Sequence, residues 1–121
     1  MHKDTVVISI GGSILIPDKD DAVYIGKLAE MLKRASESVR IAVVCGGGKI
    51  ARYYANTGRA LGGSEDKLDM MGIDATRINA RLLALALGDS STMDVRPTVK
   101  ETAEMSEKVG IAVMGGTEPG H

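Results

Sequence analysis

The stretch VRIAVVCGGGKIAR, residues 39–52, decides the fold. The apolar run 41–45 ends abruptly at Gly46, Gly47 and Gly48, and a helical pattern starts straight after them. A buried strand, a glycine turn and a helix N-terminus together make an anion site, because free backbone N–H groups and the positive helix end converge on one spot. Lys49 and Arg52 add charge beside it. The same grammar occurs twice more. Residues 5–10 run into Gly11, Gly12 and Ser13, and residues 109–114 run into Gly115, Gly116 and Thr117. Each loop alone reads as a tight turn. Three of them after buried strands read as loops delivered to one edge of an α/β sheet, where open sheets bind ligands.

The bulk numbers narrow the rest. The 121 residues suffice for one domain with a real core. The net charge of −1 favours neither nucleic acid nor an anionic membrane. There is no Phe or Trp, so the core is built from Ile, Val, Leu, Met and Ala, and only three tyrosines could stack on bases. The single cysteine, Cys45, excludes an internal disulfide and fits a reducing cytoplasm. It ends a strand and reads as a small core residue. No secretory signal and no apolar run of membrane-spanning length is visible.

In chain order, Val6, Val7, Ile8 and Ile10 predict a strand buried on both faces. Residues 14–16 are compatible with an extended continuation. Asp18, Asp20 and Asp21 supply an N-cap and a negative first turn for a helix over 21–36, with Ile25, Leu28, Leu32 and Ala35 on one face. Residues 40–45 form the second strand, parallel to the first across a crossover. A helix over 49–61 carries Ile50, Tyr54, Thr57 and Leu61 on one stripe, and Gly62-Gly63 stops it. Residues 64–66 start a long helix whose stripe, Met71, Ala75, Ile78, Leu82 and Leu85, is the clearest in the chain. Gly72 marks a candidate kink, and Gly88 ends the helix. Residues 94–97 are a candidate short strand and 99–108 a short helix. Residues 110–114 form the third confident strand, and 115–121 follow as an open loop. A strand feeding such a loop normally returns through a helix, so the chain reads as a fragment, or as one half whose partner comes from elsewhere. A flexible terminus is the alternative.

Two generic nucleotide motifs can be weighed directly. The P-loop pattern is absent, because Val43 holds its first glycine position and Ile50 replaces its Ser/Thr. Gly46, Gly48 and Ala51 match the dinucleotide pattern G-x-G-x-x-G/A. A three-glycine run meets that pattern easily. The expected ribose-binding acid would be Glu65, Asp66 or Asp69, whose surroundings read as helix and not as a strand end. Asp69 itself reads as a helix-start carboxylate, and Arg77 and Arg81 as solvated charges flanking the apolar stripe. No Cys/His cluster has metal spacing, and no Ser-His-Asp arrangement is defensible.

Four segments carry a resemblance: SIGGS at residues 9–13, CGGGKIAR at 45–52, LDMMGIDATRINARLL at 68–83 and MGGTEPGH at 114–121. Together, in order and over essentially the whole chain, they resemble the archaeal-type uridylate (UMP) kinases of the amino-acid kinase family. The resemblance implies a mostly parallel sheet sandwiched by helices. Residues 1–121 would be the UMP-binding N-terminal half, and an ATP-binding C-terminal half would be absent. It implies phosphoryl transfer from ATP to UMP, giving UDP and ADP in pyrimidine nucleotide biosynthesis, with Mg²⁺ accompanying ATP. It also implies a cytoplasmic homo-oligomer, a hexamer built from dimers, with no nucleic-acid or membrane partner.

The resemblance also assigns residues. Ser9, Ile10, Gly11, Gly12 and Ser13 would line the ATP phosphates, with Gly48 and Arg52 also serving ATP. Gly47 and Asp69 would hold UMP, and Gly116, Thr117, Glu118, Pro119, Gly120 and His121 would wrap around it. Many family members have a lysine where this chain has Ser9. The missing cation would come from Lys49 or Arg52, the catalytic candidates, or from the other half. Two other readings stay open: a nucleotide- or anion-binding module without turnover, and a dinucleotide-binding oxidoreductase domain.

Overall fold

Three runs rich in Ile, Val and Ala become parallel strands in the computed structural model, which describes residues 4–11 and 21–116. They are β1 (Thr5–Ile10), β2 (Arg40–Cys45) and β3 (Ile111–Met114), in the order β1-β2-β3. Ile10 lies opposite Cys45, and Val44 opposite Met114. The strands therefore end level, and the glycines that follow them reach one edge of the sheet.

Four helices connect and cover the strands: α1 (Asp21–Ala35), α2 (Gly48–Ala60), α3 (Glu65–Leu87) and α4 (Val99–Val109). Ile25 and Leu32 of α1 and Leu83 and Leu87 of α3 pack with Ile41, Val43, Ile111 and Val113 on one face of the sheet. Truncating such a side chain, Leu83 for example, to alanine typically costs about 2–5 kcal/mol. Helix α4 packs against β2 and β3 from the other face. Its buried Thr102 and Ser106 donate back to the Thr98 and Ala103 carbonyls at 2.7 and 2.6 Å, so no polar group is stranded there.

Caps set the helix ends. The Ser64 hydroxyl accepts the Lys67 N–H at the start of α3, and the Thr98 hydroxyl accepts the Glu101 N–H at the start of α4. Helix α3 runs unbroken through Gly72. Residues 94–97 lie in irregular chain, not in a strand. Arg96 is tied to Asp94 by a 2.8 Å ion pair there.

Three expectations about burial are corrected. Strand β1 is not buried on both faces: Val6 is 40% and Val7 50% exposed, because among the described residues β1 pairs only with β2. The stripe on α2 points outward, with Tyr54 and Leu61 exposed, because the small face Ala51, Ala55 and Gly58 is the one that closes on α3. On α3 itself, only Ala75 of the five stripe residues is buried. Leu68, Asn79, Ala80, Leu83, Ala84 and Leu87 face inward, and Ile78 and Leu85 remain well exposed. The expected residues 12–20 features, Gly12, Ser13 and the aspartate cap among them, and the loop residues Thr117, Glu118, Pro119, Gly120 and His121 lie outside the described residues.

Candidate functional site

The site begins where β2 ends. The Gly46 N–H donates to the Ile10 carbonyl at 2.9 Å, which ties the loop to the end of β1. Gly48 opens α2 with φ +61°, a conformation that other residues rarely adopt, so the chain turns from strand to helix within two residues. The first turn of α2 has no acidic residue and no side-chain cap. Its N–H groups and positive dipole end are therefore suited to an anion.

Helix α3 holds this loop and its neighbour from beneath. The buried Asn79 amide donates to the Gly46 carbonyl at 2.8 Å and the Gly47 carbonyl at 3.2 Å. Three residues earlier, the Thr76 hydroxyl accepts the Gly116 N–H at 2.6 Å, and Arg77 donates to the Gly116 carbonyl at 3.3 Å. A Cβ on Gly115 would come within 2.7 Å of the Arg77 amide nitrogen, so glycine there permits the close approach of β3's loop to α3. The loops after β2 and β3 are thus clipped to one helical turn.

Two cavities meet at this clip. One, of about 480 Å³, lies between α2 and α3 and is lined by Gly47, Gly48, Arg52, Asp69, Gly72 and Thr76, among others. Its outer end carries Arg59 and Glu65, paired through two hydrogen bonds of 3.0 and 3.2 Å. The Arg59 hydrogen bonds and charge hold the Glu65 carboxyl below the usual carboxylate range. The other, of about 350 Å³, lies over the strand ends and is lined by Ser9, Ile10, Gly11, Gly46, Gly47, Gly115 and Gly116. Gly47 and Thr76 line both.

The structure therefore brings together Gly47, Gly48, Arg52 and Asp69 in one cavity, and Ser9, Ile10, Gly11 and Gly116 in its neighbour. Lys49 sits exposed on the first turn of α2 and lines neither. Arg77 is not a solvated charge, since it reaches Gly116. Arg81 is exposed, with Nε 3.4 Å from the Met93 carbonyl. The element after α2 is helix α3, not a strand, so Glu65, Asp66 and Asp69 do not occupy the strand-end position of a dinucleotide ribose acid. Burial pushes the Cys45 thiol up to about 12, as for an inert core residue. Sequence reading does not find Thr76 or Asn79. The available signal is an asparagine set four residues from both Ala75 and Leu83, on an otherwise apolar inward stripe.

Comparison with known proteins shows which family and fold the chain resembles. The model of the amino acid kinase family matches residues 4–110. The uridylate kinase of Methanothermobacter thermautotrophicus is 44% identical over 116 residues, 96% of this chain and 51% of the relative. That of Methanocaldococcus jannaschii is 46% identical over 119 residues, covering 96% and 52%. The crystal structure of uridylate kinase from Archaeoglobus fulgidus superposes with a TM-score of 0.87 at 39% identity, over 98% of this chain and 53% of that one. The chain spans about half the length of the curated relatives it matches.

Proposed function

The chain belongs to the amino acid kinase family, and from that premise we propose that residues 1–121 are the UMP-binding part of a UMP kinase. The observation that carries this reading is the α2–α3 cavity. A nucleoside monophosphate needs an anion cradle for its phosphate and an acceptor for its sugar hydroxyls. The cavity has the glycine loop at Gly47 for the first and Asp69 for the second, in a volume suited to a small ligand. The uridylate kinases among its relatives support uridine as the base.

On this reading Gly47 and Asp69 hold UMP, and Gly116, Thr117, Glu118, Pro119, Gly120 and His121 close over it. Ser9, Ile10, Gly11, Gly12 and Ser13, with Gly48 and Arg52, receive the ATP phosphates. A UMP phosphate oxygen forms the new bond to the γ-phosphorus. The bond from that phosphorus to the β,γ-bridging oxygen breaks, and ADP leaves with the electron pair. The nucleophile is already an anion, so no protein base is required. Catalysis then rests on alignment and on neutralising spread charge, the task of Arg52, which lines the cavity, with Lys49 contributing from outside it on the first turn of α2.

Among the described residues no group of three or more His, Cys, Asp or Glu could hold a metal. Mg²⁺ would accompany ATP and neutralise part of its phosphate charge. The adenosine pocket belongs to a second part of the fold, outside these residues. The outward apolar face of α3 supports assembly with further copies of the chain, as dimers and then a hexamer. The buried free thiol of Cys45 fits a cytoplasmic setting, and the net charge offers nucleic acid no attraction. No helix among the described residues is long and apolar enough to cross a membrane.

Titration calorimetry of the complete protein tests the assignment. UMP should bind more tightly than CMP or AMP, and NAD should give no heat. Equal binding of the three monophosphates, or tight NAD binding without UMP, contradicts it.

A further inference from the structure

Asn79 is 1% exposed and sits on the sheet-facing side of α3, among alanines and leucines. A buried amide is retained in such a place only with hydrogen-bond partners. Its two N–H donors go to consecutive carbonyls, Gly46 and Gly47, at 2.8 and 3.2 Å. Neither peptide is cis. In a planar trans peptide the C=O and the following N–H point in opposite directions. With both carbonyls drawn to Asn79, the N–H groups of Gly47 and Gly48 are turned away from it. These glycines have no side chain to steady them, and glycine peptides rotate more freely than any others.

We propose that Asn79 is the positioning residue of the phosphate site: by anchoring the Gly46 and Gly47 carbonyls it fixes the Gly47 N–H in the orientation that receives the phosphate of the acceptor nucleotide, and the Gly48 N–H in the orientation that receives the donor's phosphates. The nucleotide's identity rests on the UMP-kinase reading, whereas the anchoring of a phosphate-binding loop does not. Asn79 touches no substrate and acts only through the loop. Donors already oriented towards developing charge cost no reorganisation during reaction, and losing one such donor typically lowers turnover by about 10²–10³-fold.

The test uses the complete enzyme with two variants. Asn79→Leu keeps the γ-branched shape, in a bulkier side chain, and removes both donors. Asn79→Ser keeps one shorter donor and is the milder change should the leucine variant not fold. Three ligands are titrated: UMP, uridine and inorganic pyrophosphate. In a variant with the wild-type circular dichroism spectrum, affinity for UMP and pyrophosphate should fall at least tenfold, while uridine affinity stays within about twofold, since a loosened loop loses phosphate and not base. The fall in kcat should exceed the rise in the KM for UMP. A merely structural asparagine would lower the melting temperature and leave the UMP-to-uridine ratio unchanged. A folded variant with that unchanged ratio and wild-type kcat overturns the proposal, as does a wild-type protein that binds no pyrophosphate. Wild-type binding of pyrophosphate without UMP would refute the uridylate assignment alone, and the pyrophosphate titrations would still decide the role of Asn79.

Discussion

Thr76 and Gly116, forty residues apart in the chain, share a 2.6 Å hydrogen bond in which the threonine hydroxyl accepts the glycine N–H. The same hydroxyl donates to the Ile73 carbonyl at 2.6 Å, so it is committed on both sides. Thr76→Val keeps the shape and removes the acceptor, which strands the Gly116 N–H. An unpartnered donor costs about 1–3 kcal/mol when fully buried and less at the half-buried Gly116. The loop leaving β3 loses the shorter of its two ties to α3, and the KM for UMP in the complete enzyme should rise about tenfold, the equivalent of about 1.4 kcal/mol. Steady-state kinetics at saturating ATP check this. An unchanged KM means that the loop does not hold UMP.

Arg52 and Asp69 face one cavity from different helices, and their substitutions should separate. Arg52→Ala removes a charged donor worth about 1.5–3 kcal/mol, so kcat should fall about tenfold or more, and by a larger factor than the KM for UMP rises. Asp69→Asn should weaken UMP more than ATP. Direct titration of each variant with both nucleotides, beside turnover, gives the ranking. Unchanged turnover in the first would make Arg52 a surface charge, and the reverse ranking in the second would refute the ribose role of Asp69.

Cys45 supplies a pH dependence. Burial raises its pKa from 9.0 to about 12, so above pH 9 the unfolded chain loses a proton that the folded chain keeps. Stability therefore falls as pH rises through that window, by about 1.4 kcal/mol per pH unit well inside it. Denaturant unfolding at pH 8 and pH 10 should show this loss in the wild type and not in Cys45→Ala. The native thiol should also resist a thiol reagent at pH 8 until the protein is unfolded. Rapid labelling of folded protein would contradict its core role.

The outward face of α3 carries Met71, Ile78, Leu82 and Leu85, with Ile78 63% and Leu85 65% exposed. Met71 and Leu85 lie about two helical turns either side of Ile78. Ile78→Asp should therefore lower the mass measured by light scattering while leaving helix content intact. An undiminished mass would mean that this face does not assemble the protein.

How much was legible follows from what each residue faces. Strand β2 was read with its exact bounds because its run of five apolar residues meets three glycines, and no helix tolerates that sequence. Helix α3 was legible in length, but not in orientation. It is apolar on two sides, and periodicity reports a stripe without saying what covers it. The exposure of Val6 and Val7 depends on which strands neighbour β1, a relation between distant segments. Asn79 was hidden because its partners are backbone carbonyls, and a carbonyl leaves no trace in a list of side chains. Gly47, Gly48 and Arg52 line one cavity with Asp69; the glycine–helix junction points to the first three, and only the family resemblance points to Asp69.

The most direct test of the central claim is ADP release, followed by a coupled assay with ATP and Mg²⁺, comparing the complete enzyme with a polypeptide of residues 1–121. The account predicts ADP production that requires UMP in the complete enzyme and none from the 121-residue chain, which lacks the second clamp needed to hold two anions in line. UMP-dependent ADP production by the 121-residue chain would contradict the division of labour proposed here. No UMP-dependent production by either would contradict the kinase assignment itself.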